Sequence, residues 1–379
     1  QWQGAEKDMH EVPKNIPSKH FVLPEKLDAL DEINEALTSG WLSSGPYTRR
    51  LEETVGDAFD RHAISASSAM DALEIVFEHI GLEGRDVYLA ANAFQAIPSM
   101  VIASGGYPIA LPIRKETHCA DLTSLLGSPP AILVHIHSYG VSDPYDLMLL
   151  QELSDKGWWV VVDSANLLPD YNYCKASVQG DHIVEILSFN PTKAIASAKG
   201  AILLTSDSGL AKHAKAFRSH SGAEPVWQAG GHIYRDRQIG EINAIIAYHQ
   251  WMRRHDIRDK YALLHSKYET ELQARADTVS PALALSFTVP TRFPVTVPED
   301  VDIFNLSAVM KNEGVGCSIM YGTPWTDLKG FLGTPDTCNV TRRLIARTIC
   351  LPLHEALDRN DIDFIIEKIT HTLPHQRII

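Results

Sequence analysis

Between about residues 50 and 210, short apolar runs alternate with segments of helical period, the signature of a mostly parallel sheet covered by helices. The predicted strands are residues 86–90, 107–111, 131–137, 158–163, 183–189 and 201–205. Between them, Ala69, Ala72, Leu73, Val76 and Phe77 recur at spacings of three and four, which predicts a helix over 69–79. Leu147, Leu150 and Leu153 do the same for 144–155. After Gly222 the composition turns to Gly, aromatic and charged residues, and one long helix is expected from about Ile239 to Ala274. The remainder mixes a strand at 292–297 with a helix at 360–372, where Ile362, Ile365, Ile366 and Ile369 form one stripe.

A chain of 379 residues exceeds what one core holds, so two domains are expected: 1–250, with an N-terminal arm at 1–35, and a small α+β domain at 251–379. The hinge is placed within the long helix. A net charge of −13 without a basic patch argues against nucleic acid and anionic membranes as partners. Five widely spaced cysteines without a CxxC pair indicate neither a disulfide framework nor a zinc site and suit a reducing, cytoplasmic setting. No apolar run reaches the ~18 residues of a membrane span, and the polar start of the sequence lacks the core of a signal peptide, so a soluble, unexported protein is expected.

In open parallel sheets ligands gather beyond the carboxyl ends of strands, and three such ends carry chemistry here. In GWWVVVDSAN, Asp163 follows five apolar residues. A carboxylate there either caps the next helix or meets a cation, and a protonated pyridine nitrogen is one such partner. In IVEILSFNPTKAI, Ser188 and Lys193 flank a turn containing Pro191. Alone, such a lysine is more often a solvated turn residue; beside a buried strand end its amine loses its proton more readily, as a covalent amine must. In ISASSAMDALEIVF, Ser67 and Ser68 precede a helix whose first amides, at Ala69 and Met70, make either an ordinary cap or a phosphate cradle. Phe94, after the strand ending at Ala90, either packs in the core or stacks on a planar ring. His135 and His137 alternate, but two ligands without a third read as structural, and no metal is expected.

These residues resemble the DegT/DnrJ/EryC1/StrS sugar aminotransferases, within the fold-type-I pyridoxal-phosphate enzymes. The resemblance runs from GWLSSGPYTRRLEE, with Ser44-Gly45-Pro46 and Leu51-Glu52, to LPLHEALDRNDIDFIIEKI, and SFNPTK is its most specific string. It implies a three-layer large domain with a mostly parallel sheet, a small α+β C-terminal domain and a homodimer. It also implies pyridoxal 5'-phosphate as cofactor, Lys193 as the Schiff-base lysine, Ser188 as a phosphate ligand and Asp163 as the partner of the pyridine nitrogen. Asn166, in Asp163-Ser164-Ala165-Asn166, stands where the family has a longer cofactor-contacting side chain, and Phe94 where it stacks an aromatic. His137 and Tyr139, in VHIHSYGVSD, correspond to a family His-x-Tyr-Gly segment near the active site.

The implied reaction moves an amino group, usually from glutamate, to a keto-sugar or related cyclic ketone, often nucleotide-linked, by a ping-pong route. Trp41, Tyr47, Trp227, Tyr321 and Trp325 are the aromatic candidates for gripping the acceptor. The chain departs from the family at Ala69 and Met70, where a Gly-Thr pair is usual, at Lys199, where glycine or glutamate is usual, and at Asp236, where the family usually supplies an asparagine to the phosphate of the partner subunit. Arg235 or Arg237 is the expected substitute there. Two other readings stay open: a sugar dehydratase, whose relatives replace the lysine with histidine, and a silenced cofactor-binding regulator.

Overall fold

The computed structural model describes residues 14–19, 29–219, 236–273, 279–283, 288–331 and 338–375. Its chain begins with α1 (Ala29–Ser39) and α2 (Pro46–Phe59), then β1 (His62–Ala66), α3 (Ala69–Ile80) and β2 (Asp86–Ala90). There follow α4 (Ala96–Ala103), β3 (Tyr107–Leu111), β4 (Ile132–Ile136), α5 (Pro144–Asp155), β5 (Trp159–Asp163) and α6 (Tyr171–Ala176). Next come β6 (Ile183–Ser188), β7 (Ala201–Thr205) and α7 (Ser208–Phe217). The seven strands form one sheet in the order β1-β7-β6-β5-β4-β2-β3, parallel except for β7, which runs against both β1 and β6.

Alternation along each strand divides the core in two. Val160 and Val162 face the side covered by α2, through Leu51 and Val55, whereas Val161 faces the side covered by α3, through Leu73, Val76 and Phe77. That is the three-layer α/β architecture expected. Local chemistry sets the helix starts. Ser68 caps α3, while Asp143 caps α5 ahead of a proline at its first position. α2 has no side-chain cap of its own at Gly45; instead the buried Glu241 carboxylate accepts from the amides of Gly45 (2.9 Å), Tyr47 (2.9 Å) and Thr48 (3.1 Å) and from the Thr48 hydroxyl.

The expected strands are present with ends shifted by at most one residue, but β1 was not foreseen: HAISA is short and flanked by polar residues. The single long helix is also corrected. It divides at Arg253 into α8 (Glu241–Met252) and α9 (Arg254–Gln273), and the Arg253 guanidinium binds Gln250 and, at 2.6 Å, Glu355. Beyond α9, strands β8 (Ser280–Pro281), β9 (Phe293–Thr296) and β10 (Thr348–Leu351) form an antiparallel sheet in the order β10-β9-β8. Around it lie α10 (Ile303–Asn312), α11 (Asn339–Ile345) and α12 (Arg359–Thr372), whose isoleucine stripe is buried as predicted. Among the described residues, no helix is long and apolar enough to cross a membrane.

Candidate active site

The carboxyl ends of β5 and β6 open onto a cavity of about 350 Å³, and most of the predicted site residues line it: Ser68, Ala69, Met70, Phe94, Asp163, Asn166, Ser188 and Lys193. Each arrives through its own element. Asp163 ends β5, Ser188 ends β6, and Ser68 with the first residues of α3 follows the end of β1. Because Ala201 pairs with both Ala66 and Ser188, the start of β7 lies between those two ends, so Lys199 and Gly200 join the same wall.

Lys193 and Asp163 share this cavity. The Lys193 ammonium donates to Asn166 Oδ1 at 3.0 Å, and Asp163 Oδ1 accepts the Ala165 amide at 2.9 Å. Burial holds the Lys193 amine below the ordinary lysine range, opposed by the Asp163 charge. Burial likewise pushes the Asp163 carboxyl above the usual carboxylate range, while the Ala165 amide and Lys193 pull it down. The site thus holds an amine biased toward its reactive neutral form beside a carboxylate short of positive charge.

At the other end, α3 points its first amides into the cavity. The Ser67 and Ser68 hydroxyls both donate to Asp71, Ser68 at 2.6 Å, and the Asp71 amide returns to Ser68 Oγ at 3.1 Å. With the serines turned onto Asp71, the amides of Ala69 and Met70 carry the helix's positive end toward the cavity. Phe94 is 59% exposed, so its ring faces open space rather than the core.

Behind the site, Thr291 donates from Oγ1 to the Asn166 carbonyl at 2.6 Å and from its amide to the Tyr139 carbonyl at 2.9 Å. Tyr139 and Gly140 both have positive φ, +58° and +85°, and a side chain at Gly140 would put Cβ 2.4 Å from the Asn166 carbonyl oxygen. This tight turn fixes the backbone that carries the Lys193 acceptor.

Not every nominated residue reaches the cavity. Arg237 is buried away from it, its Nε 3.0 Å and Nη2 2.9 Å from Glu74 and its guanidinium over the Phe217 ring. Asp236 accepts the Gln238 amide at 3.2 Å. His137 is occupied by the Val141 carbonyl and the Tyr173 hydroxyl, each at 3.0 Å, and Tyr139 is buried against the ring of Tyr321. Of the aromatic candidates among the described residues, only Tyr321 lines the cavity. Trp325 is core, donating to the Ala90 carbonyl at 2.9 Å; Trp41 is exposed; the Tyr47 hydroxyl binds Glu35 at 2.6 Å. Trp227 and Arg235 lie outside the described residues. Asn190, Thr192 and Met320 also line the cavity. Asn190 and Thr192 stand inside SFNPTK and were within reach of the motif, whereas no local signal marks Met320.

Comparison with known proteins gives the same picture over nearly the whole chain. Residues 25–370 match the model of the DegT/DnrJ/EryC1/StrS aminotransferase family. The spore coat polysaccharide biosynthesis protein SpsC of Bacillus subtilis (strain 168) is 23% identical over 93% of this chain and 98% of its own length. The 3-oxo-glucose-6-phosphate:glutamate aminotransferase of the same organism is 28% identical over 56% of this chain and 48% of that protein. Helicobacter pylori PseC, an aminotransferase involved in the biosynthesis of pseudoaminic acid, shares the fold at a TM-score of 0.84 and 19% identity, covering 96% of this chain and all of that one (100%). DesI, solved in the presence of its TDP-sugar product, does so at 0.80 and 23% identity, covering 96% of this chain and 95% of that one. With the family model spanning both sheets and the cavity, the chain belongs to the DegT/DnrJ/EryC1/StrS aminotransferase family.

Proposed function

We propose that the protein transfers the amino group of an amino acid, glutamate, to a keto-sugar, working with pyridoxal 5'-phosphate and Lys193 in two half-reactions. The observation that carries this reading is the presence of Lys193 and Asp163 in one cavity that also receives the amino end of α3. The residues suit the cofactor at three points: an amine for covalent attachment, a half-buried carboxylate for a ring cation, and helix amides for a phosphate. The donor and acceptor follow the activity for which the B. subtilis 3-oxo-glucose-6-phosphate:glutamate aminotransferase is named and the TDP-sugar product in whose presence DesI was solved.

Pyridoxal phosphate supplies the electron sink and carries the amino group between the half-reactions. The chain does the rest. Ser188 and the backbone of Ser68, Ala69 and Met70 would hold the phosphate, and Phe94 would cover one ring face. Asp163 would keep the ring nitrogen protonated, its charge no longer short of a partner. Asn166 aims the Lys193 amine, which takes the proton from the donor's α-carbon as general base. Arg237, tied to Glu74, has no part in this chain's cavity. In the same reading residues 1–250 and 251–379 are the two domains, the break at Arg253 lies at their boundary, and the active form is a homodimer in the cytosol, consistent with widely spaced cysteines that include no CxxC pair.

The test is the absorption spectrum of the protein with pyridoxal phosphate, before and after excess glutamate, beside Lys193→Ala. A visible band that requires Lys193 and disappears with glutamate is expected. No band, or a band unchanged in Lys193→Ala, refutes the cofactor role; a band indifferent to glutamate refutes the donor.

A further inference from the structure

We propose that Cys119, His135 and Asp146 form a buried site for one divalent cation of the zinc class, separate from the cofactor cavity. The three residues come from different parts of the chain: Cys119 from the segment joining β3 to β4, His135 from the middle of β4, Asp146 from the first turn of α5. Their ligand-capable atoms all lie within 4.8 Å of one another, and the residues are 0%, 0% and 1% exposed. None of them lines the cofactor cavity.

The second observation is what these groups lack. Among the described residues, neither ring nitrogen of His135 has a hydrogen-bond partner, nor has Oδ1 of Asp146, whereas the Cys119 thiol faces the Thr117 and Val141 carbonyls at 3.7 and 3.9 Å. A buried imidazole with both nitrogens orphaned costs about 1–3 kcal/mol for each group left unmade, so interiors rarely contain one without a ligand to complete it. His137, whose ring centroid is 5.2 Å from that of His135, is no substitute because both its nitrogens are already engaged.

The charges close. Arg114 binds Asp143 at 2.6 Å and Asp146 Oδ2 at 2.8 Å, which leaves Asp146 Oδ1 free for a metal. With Asp143 balancing the guanidinium, the Cys119 thiolate and the Asp146 carboxylate together neutralise a dication, and His135 binds neutral. One sulfur, one nitrogen and one oxygen donor suit zinc and its neighbours and disfavour calcium and magnesium, which require oxygen. Two histidines in one strand gave no sign of this in the sequence, because the other ligands are 16 positions before and 11 after His135. The bound ion would staple α5 and the β3–β4 segment to β4.

The experiment uses the full chain, prepared from zinc-supplemented cells and dialysed against metal-free buffer. Elemental analysis is expected to give about one zinc per chain, falling at least fivefold in both Cys119→Ala and Asp146→Asn, with pyridoxal phosphate content unchanged. X-ray absorption at the zinc edge, which needs no variant and so survives a folding defect, is expected to show one sulfur neighbour at about 2.3 Å with the rest at about 2.0–2.1 Å. Less than one-tenth of a metal per chain, zinc without a sulfur neighbour, or zinc retained in both variants overturns the proposal. None of these readouts depends on transaminase activity.

Discussion

Replacing Glu241 by glutamine changes one heavy atom and should destabilise the protein by about 1–5 kcal/mol. The carboxylate is fully buried, and its two oxygens divide the start of α2 between them: Oε1 takes the amides of Gly45 and Thr48, Oε2 that of Tyr47. A carboxamide keeps one side and turns an NH₂ toward the other, so a buried amide faces a donor, at a cost of about 1–3 kcal/mol. The lost charge at the helix's positive end adds about 0.3–2 kcal/mol, and both act together because no other side chain caps α2. Glu241→Ala, which strands all three amides, should cost at least as much. Urea denaturation reads this as a lower midpoint at unchanged slope. A loss below about 1 kcal/mol in the glutamine variant, or an alanine variant more stable than the glutamine one, would show that water or backbone adjustment satisfies the amides and that the carboxylate does not hold α2.

Two further outcomes test the site. The rate at which Lys193 captures pyridoxal phosphate should rise with pH, with its midpoint below the ordinary lysine range, because burial favours the neutral amine. In Asp163→Asn, where the opposing charge is gone, that midpoint should move further down; stopped-flow absorbance checks it, and a midpoint that rises contradicts the assigned coupling. Gly140→Ala should lower both stability, by about 1–3 kcal/mol for the positive φ alone, and cofactor affinity, since its Cβ would meet the Asn166 carbonyl at 2.4 Å. A fluorescence titration with pyridoxal phosphate that matches the wild type would uncouple this turn from Asn166.

Much of this site was legible because its parts are local. Asp163 and Ser188 each close an expected strand, whose length and direction decide where its last residue lies, and Ser68 stands directly before an expected helix. What was not legible depends on pairings across the chain. HAISA has too few β-branched residues to announce a strand, and β1 is held by its register with β7. The division of the long helix has no glycine or proline at the break, and Arg253 is answered by Glu355 about a hundred positions away. Arg237 looked like a phosphate ligand beside Asp236, yet Glu74, on α3, takes its guanidinium. Lys199 reads as a disruption of a glycine-rich motif, and only the antiparallel register of β7 brings it to the cavity wall that Ser68 also lines.

The reversed strand β7 also bears on how this catalyst can vary. A parallel neighbour of β6 would begin at the far edge of the sheet, and the chain would have to leave the cavity to reach it. Because β7 runs backwards, the segment from Phe189 to Gly200 departs from and returns to one rim, carrying Asn190, Thr192, Lys193 and Lys199 along the cavity wall. The sheet fixes both ends of that segment and Phe189 and Ile195 anchor it in the core, so variation that re-equips the chemistry falls on the cavity-lining positions between these anchors while the strands on either side keep their pairing.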